Sequence, residues 1–209
     1  MDEYLSEREQ WENVKVILRE NTPWLIAGVA VAVLGIAGWR WNEARIERRL
    51  LAAADVYKQL TVAHDKHDAA GVDKLAAQLQ QDYPGTGFAD FGQLARAQMQ
   101  VSTGQHAQAI EVLQKVMQNT RDKELALAAR LRMARVQLDQ NRYDDALATL
   151  SGVDAGAYAP RYAELRGDLY MLKGDAAAAL KAYTEAQASN SAAVDPELLK
   201  LKMASLNRS

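Results

Sequence analysis

The 209-residue chain contains no cysteine. This absence excludes disulfide bonds, thiolate nucleophiles and most structural zinc sites. The chain also has only four prolines and two phenylalanines, and its formal net charge is −2. Because a charge this close to zero gives no general attraction to nucleic acid, we expect no nucleic-acid partner.

Charge is also absent from one long stretch. No charged residue occurs between Glu20 and Arg40, which leaves 19 uncharged positions in a chain whose mean hydropathy is −0.29. At ~1.5 Å per residue, a helix of this length just covers the hydrocarbon core of a bilayer. Its apolar residues point to every side, unlike the single stripe of a surface helix. Trp24, Trp39 and Trp41 lie where interfacial tryptophans would be expected.

We therefore predict a transmembrane helix at 21–41 that follows a cytoplasmic tail at 1–20. A cleaved signal peptide is the alternative, because small residues near Gly38 suit a cleavage site. Residues 1–20 hold six acids against three bases, the reverse of a signal peptide's positive start, which favours an uncleaved anchor. One face of the predicted span carries only small residues, where another membrane helix could pack. This candidate contact face consists of Gly28, Ala32 and Gly35.

The tail before the span is highly charged but carries one apolar face. Trp11, Val14 and Leu18 recur at a helical spacing and predict a short amphipathic helix. After the span, residues 43–63 contain helix formers without glycine or proline. We therefore expect the membrane helix to run on into the following domain, at 42–209.

That domain shows a repeated pattern of helices and turns. Residues typical of helices dominate, and β-branched runs are short. Gly104, Asn141 and Gly174 lie 37 and 33 residues apart, close to the tetratricopeptide period of about 34. An ordinary helical bundle with accidental spacing is the alternative, but LRGDLYMLKGDAAAALKAYTEA, residues 165–186, follows the repeat consensus closely.

The predicted fold is all-α: a single N-terminal transmembrane helix, then a tetratricopeptide-like α-solenoid of three to four helical hairpins and a C-terminal capping helix. Ala109, Ala146 and Ala179 occupy one repeat position, where a small residue lets two helices approach closely. Stepping back 37 residues from Gly104 reaches His67, which suggests a degenerate first hairpin. The predicted hairpins span about 53–84, 88–118, 122–153 and 159–189, and the cap spans 195–206.

Stacked hairpins present their first helices on a concave face that binds partners. In this chain the face would be mostly apolar with scattered charges, which suits extended or partly unfolded apolar polypeptide. Packing between hairpins is the alternative for single members such as Phe91 and Leu94. The candidate partner-binding residues are Phe91, Leu94, Gln98, Val101, Leu131, Arg135, Leu138, Tyr162, Glu164, Asp168 and Met171.

The sequence contains no pattern of titratable residues that would converge in an active site. We therefore expect that the protein is not an enzyme and has no cofactor and no metal site. His64 and His67 could share a helix face, but no third ligand follows at a recognisable spacing, which favours a solvated turn. Asp144 and Asp145 lie in the first turn of a predicted helix, where their negative charges interact favourably with the helix dipole. This placement requires no catalytic role.

The N-terminal residues carry a specific resemblance. The run EQWENVKVILREN at 9–21, the apolar span and GWRWNEAR at 38–45, followed by the repeat domain, resemble the YfgM family of Gram-negative bacteria over the whole chain. The resemblance implies an ancillary subunit of the SecYEG translocon in the inner membrane, with its helical domain in the periplasm. It also implies a role beside a PpiD-like chaperone in handing emerging, unfolded polypeptides to periplasmic chaperones.

The bases around the span favour the opposite orientation. Five lysines and arginines follow the uncharged stretch 21–39 within about 20 residues and three precede it, so a count of positive charge would place the repeats in the cytoplasm. Long domains cross membranes largely regardless of such charges, which keeps the periplasmic prediction. The alternative function is a membrane-tethered repeat scaffold with a regulatory role on the cytoplasmic side.

Overall fold

A computed structural model describes the backbone of residues 7–189 and 191–206; the side chains of residues 7–10, 13–14, 16–21, 23 and 25 lie outside this description. Within the described residues the secondary structure is helical and contains no strand, which confirms the all-α prediction. The chain divides into two compact units, Met1–Leu50 and Leu51–Ser209. Helix α1 (Glu7–Asp65) begins in the first unit and ends in the second.

The first unit carries the predicted membrane span. Its described apolar side chains, such as Ile26, Val31 and Leu34, are exposed. Within the described part of the chain, no helix combines the length and the apolar character that crossing a bilayer requires. The side chains of Asn21, Pro23 and Leu25 lie outside the described residues. The transmembrane helix therefore stays a prediction.

Two other predictions concern the same unit. Gly28, Ala32 and Gly35 are exposed, and apart from the adjoining backbone of the same helix no atom lies within 4 Å of a β-carbon built on either glycine. Of the predicted amphipathic face in the tail, Val14 and Leu18 lie outside the described side chains.

The second unit is a series of helical hairpins. The end of α1 pairs with α2 through the buried side chains of Leu60 and Leu79, and three further hairpins and a last helix follow. A short 3₁₀ turn, Gly156–Tyr158, precedes the fourth hairpin. The remaining helices are α2 (Ala69–Asp82), α3 (Gly87–Ser102), α4 (His106–Asn119), α5 (Lys123–Asp139), α6 (Tyr143–Leu150), α7 (Ala159–Leu172), α8 (Ala176–Ala188) and α9 (Pro196–Leu206).

The turns inside the hairpins share one backbone geometry. Gly104, Asn141 and Gly174 have φ of 78°, 59° and 80°, and His67, at the equivalent place in the first hairpin, has φ of 54°. The next residue's amide then donates to a carbonyl five residues back, at 2.7–2.9 Å, as in a Schellman motif. The period predicted from sequence therefore corresponds to a repeated helix terminus, and His67 extends it to the first hairpin.

Small residues permit close packing within each hairpin. Ala109, Ala146 and Ala179 are fully buried, as the repeat pattern predicts. The tightest approach is at Gly167 in α7, where an added β-carbon would lie 2.3 Å from the ring of Tyr183 in α8. The absence of a side chain at residue 167 therefore makes room for the Tyr183 ring.

Helix α9 closes the series. Asp195 Oδ1 accepts hydrogen bonds from the amides of Glu197 at 2.9 Å and Leu198 at 3.3 Å, so it caps a helix whose first residue is Pro196. The fully buried Leu199 packs α9 against the last hairpin.

Candidate partner-binding groove

The candidate groove is built on α3, α5 and α7, the first helices of the second, third and fourth hairpins. Local capping fixes where two of them begin. Thr86 Oγ1 accepts from the amide of Ala89 at 3.3 Å, and Asp122 Oδ1 accepts from the amide of Glu124 at 2.9 Å. These caps set where the candidate residues of α3 and α5 lie along their helices.

Three of the predicted binding residues lie in the core. Leu94, Leu131 and Tyr162 are 4%, 3% and 1% exposed. Tyr162 also donates a hydrogen bond from its hydroxyl to the carbonyl of Leu127 at 2.9 Å. Burial raises the pKa of Tyr162 to about 12, although the charge of Arg130 opposes the shift. A partner cannot reach these side chains while the hairpins stay packed. Leu131 and Tyr162 therefore form no part of an accessible surface, and Leu94 contributes only to the floor of a cavity.

A cavity between α3 and α5 brings other predicted residues together. Gln98, Val101 and Arg135 line it, and its volume is about 450 Å³. This size lies within the range of ligand pockets, roughly 300–1,000 Å³. The floor of the cavity consists of buried apolar side chains, namely Leu94, Ala97, Leu113 and Val136.

The rim of this cavity is charged. Arg132 and Arg135, one turn apart on α5, are both exposed, and neither guanidinium forms an ion pair with any residue that the structure describes. Asp139, another turn along, supplies the single acidic side chain of the lining. Arg132 was not among the predicted residues, although its spacing of three from Arg135 places both on one helix face.

The acidic members of the candidate set have a partner within the chain. Lys202 of α9 donates from Nζ to Glu164 Oε1 at 2.8 Å and to Asp168 Oδ2 at 3.0 Å. Tyr183 donates to Asp168 Oδ1 at 2.8 Å. Burial alone would lower the pKa of Lys202, but its hydrogen bonds to Asp168 and Glu164 outweigh burial and raise it. Lys202 of the capping helix therefore offsets one of the two negative charges at the acidic end of the predicted groove.

The remaining predicted residues are Phe91, Leu138 and Met171, which lie outside both the cavity between α3 and α5 and the cluster around Lys202. Phe91 is 43% exposed, and its ring centroid lies 6.1 Å from that of Tyr57. Leu138 is partly buried against the core of the third hairpin, and Met171 is exposed near the end of α7. Neither Leu138 nor Met171 lines the cavity between α3 and α5.

The described residues form no group of three or more histidine, aspartate and glutamate side chains that could hold a metal ion. His67 lies in the turn after α1, and His64 Nδ1 lies 3.8 Å from the neighbouring Asp65 carboxylate. Asp145, in the first turn of α6, pairs with Arg142 at 2.7 Å, and Asp144 pairs with Lys173.

A helical-repeat protein with a groove between its first helices is a protein-binding class of fold. A sequence profile described as "Tetratricopeptide repeat-like domain" matches residues 15–208. The chain is 30% identical to an "Ancillary SecYEG translocon subunit" of Escherichia coli (strain K12), over 99% of this chain and 100% of that one. A protein of the same name from Neisseria gonorrhoeae is 29% identical over 99% and 100%. The chain therefore belongs to the tetratricopeptide repeat-like family of ancillary SecYEG translocon subunits.

A solved structure was also matched. The chain "MamA RS-1 ArsTM double mutant" is 18% identical, with a TM-score of 0.46, over 74% of this chain and 96% of that one.

Proposed function

We propose that this protein is an inner-membrane-anchored, protein-binding subunit that associates with the SecYEG translocon. The observation that carries the proposal is likeness over nearly the full length of both chains to relatives named for that role. Likeness over 99% of the chain includes the N-terminal unit as well as the repeats. The protein acts by binding and positioning other polypeptides rather than by catalysis.

The N-terminal unit supplies the membrane anchor in this proposal. Residues 21–39 contain no charge, and the described apolar side chains there are exposed. An exposed apolar surface of this kind is favoured in a lipid environment. The exposed face of Gly28, Ala32 and Gly35 offers a close-packing site for a membrane helix of the translocon.

The repeat domain supplies the binding surface and lies in the periplasm. There it contacts emerging, unfolded polypeptides and a PpiD-like chaperone, and it helps to pass the polypeptides on. The cavity between α3 and α5 supports this role, because an apolar floor with a charged rim suits a peptide segment.

Topology is tested by single cysteines in this naturally cysteine-free chain. Gln114→Cys lies on the exposed face of α4, and the matched Glu12→Cys lies before the predicted span. In cells with a permeabilised outer membrane, a membrane-impermeant maleimide should label Gln114→Cys and spare Glu12→Cys. The opposite pattern would place the repeats in the cytoplasm and support the membrane-tethered regulatory scaffold instead.

Association is tested by co-purification of SecYEG with the tagged full-length protein from detergent-solubilised membranes. The double variant Gly28→Leu and Gly35→Leu should recover less SecYEG, because leucine side chains prevent close helix packing. The matched double variant Val29→Leu and Val33→Leu, within the same span, should recover the wild-type amount. No SecYEG with the unaltered protein would contradict the proposal.

A further inference from the structure

The charged side chains of the candidate groove differ in whether they pair with another charged group of the protein. Glu164 and Asp168 are half-buried and share the ammonium of Lys202. Arg132 and Arg135 are exposed and form no ion pair with the described residues. Arg132 and Arg135 are therefore two neighbouring positive charges on a first helix that a partner can reach.

These guanidinium groups border an apolar surface. Leu94 and Val136 form part of the floor of the α3–α5 cavity, and the half-buried Val101 lies beside them. A guanidinium binds a carboxylate through two parallel hydrogen bonds, and an aliphatic floor favours aliphatic side chains. Asp139 leaves the lining with a net charge of +1, from two arginines and one aspartate.

We propose that the α3–α5 cavity selects peptide segments in which acidic side chains flank aliphatic ones, with Arg132 and Arg135 as the specificity-determining residues. This inference rests on the proposed function, since it names the kind of polypeptide that the same groove receives. The aliphatic side chains occupy the cavity floor, and the carboxylates pair with the two arginines. A lysine-rich segment of equal hydrophobicity is disfavoured by like-charge repulsion.

The probe is a short fluorescent peptide of alternating leucine and glutamate, and its counterpart has lysine in place of glutamate. Binding to the full-length protein in detergent is measured by fluorescence anisotropy at low and high salt. The glutamate peptide should bind at least about tenfold more tightly than the lysine peptide, and the difference should shrink at high salt because exposed charges are screened.

Charge reversal provides the decisive comparison. The double variant Arg132→Glu and Arg135→Glu should lose at least about tenfold in affinity for the glutamate peptide and gain affinity for the lysine peptide. The matched control combines Arg121→Glu with Lys123→Glu, because it reverses two exposed positive charges that do not line this cavity. The control should keep the wild-type preference.

Three results would overturn the inference: no binding of the glutamate peptide, equal binding of both peptides, or an equal loss in the control with both Arg121→Glu and Lys123→Glu. Co-purification of SecYEG is measured on the same variants. If SecYEG is still recovered while the peptide preference is absent, the specificity of the cavity is wrong and the proposed association stands. If SecYEG is not recovered with the unaltered protein, the proposed association itself fails.

Discussion

Lys202 in α9 and Glu164 in α7 are joined by a hydrogen bond of 2.8 Å across 38 residues of sequence. The side chains are only 21% and 18% exposed, so water screens the pair weakly. Asp168 accepts a second hydrogen bond from the same ammonium group. This pair ties the capping helix to the last hairpin through charge as well as through the apolar contact at Leu199.

We expect Lys202→Met to lower the free energy of unfolding by about 1–3 kcal/mol, because it leaves two partly buried carboxylates without their cation. Methionine has a helix propensity similar to that of lysine, so α9 itself should persist. The measurement is urea unfolding of the full-length protein in detergent. Lys200→Met is the matched control and should change stability by no more than about 0.5 kcal/mol, because its partner Glu197 is exposed. Equal effects of the two substitutions would refute this role for Lys202.

Gly167→Ala should destabilise the last hairpin strongly. The new β-carbon would lie 2.3 Å and 2.4 Å from two ring carbons of Tyr183, whose side chain is fully buried and cannot move aside. We expect a loss of about 2–4 kcal/mol in unfolding free energy. Gly87→Ala, whose β-carbon would lie at an ordinary 3.7 Å from Phe91, should be nearly neutral.

A double variant separates the clash from a general effect of alanine at this position. Tyr183→Leu removes the ring, so Gly167→Ala should destabilise the protein less in its presence than in its absence. Strictly additive effects would show that contact with the ring is not the cause.

The repeat architecture is predictable because it depends on local backbone chemistry. Gly104 and Gly174 allow the left-handed backbone of the turn, and the alanine five residues after each one marks the close helix contact. Both signals lie within a few residues of sequence. The all-helical, repeated fold could therefore be predicted without knowledge of any long-range contact.

The binding surface is less predictable because it depends on how neighbouring hairpins pack. Their positions within the repeat predict that Leu94 and Tyr162 lie on the concave, partner-binding face, but packing between hairpins buries both side chains. The pairing of Glu164 with α9 joins residues far apart in sequence. One signal could have indicated this pairing, since Lys202 lies between the buried Leu199 and the half-buried Leu206, on the packed face of α9.

The stability of the protein should fall at alkaline pH, partly through Tyr162. An unfolded tyrosine ionises near pH 10, whereas burial raises the pKa of Tyr162 to about 12 in the folded protein. In the folded protein Tyr162 therefore stays protonated to a higher pH than it does in the unfolded chain. Its contribution to stability is complete below pH 10 and is lost between pH 10 and about 12. The expected slope is at most about 1.4 kcal/mol per pH unit.

Tyr162→Phe isolates this contribution. The variant should be less stable than the wild type near neutral pH by about 1 kcal/mol, because the hydrogen bond to the Leu127 carbonyl is lost. It should nevertheless lose stability less steeply above pH 10. The raised pKa values of Tyr183 and Lys202 act in the same direction but are present in both proteins. Parallel curves of unfolding free energy from pH 8 to pH 11 would contradict this account of Tyr162.

His67 should be the simplest position at which to stabilise the protein. Its φ of 54° crowds the β-carbon against the backbone, and glycine removes that strain. Glycine also increases the entropy of the unfolded chain, so the net gain for His67→Gly should be about 0.5–1 kcal/mol. At Asn141, which has a similar φ, glycine should bring little or no gain, because asparagine tolerates this backbone and its Oδ1 accepts from the Tyr143 hydroxyl at 2.8 Å. Thermal unfolding of the two variants tests the difference, and a loss of stability in His67→Gly would mean that the imidazole makes a contact worth more than the strain.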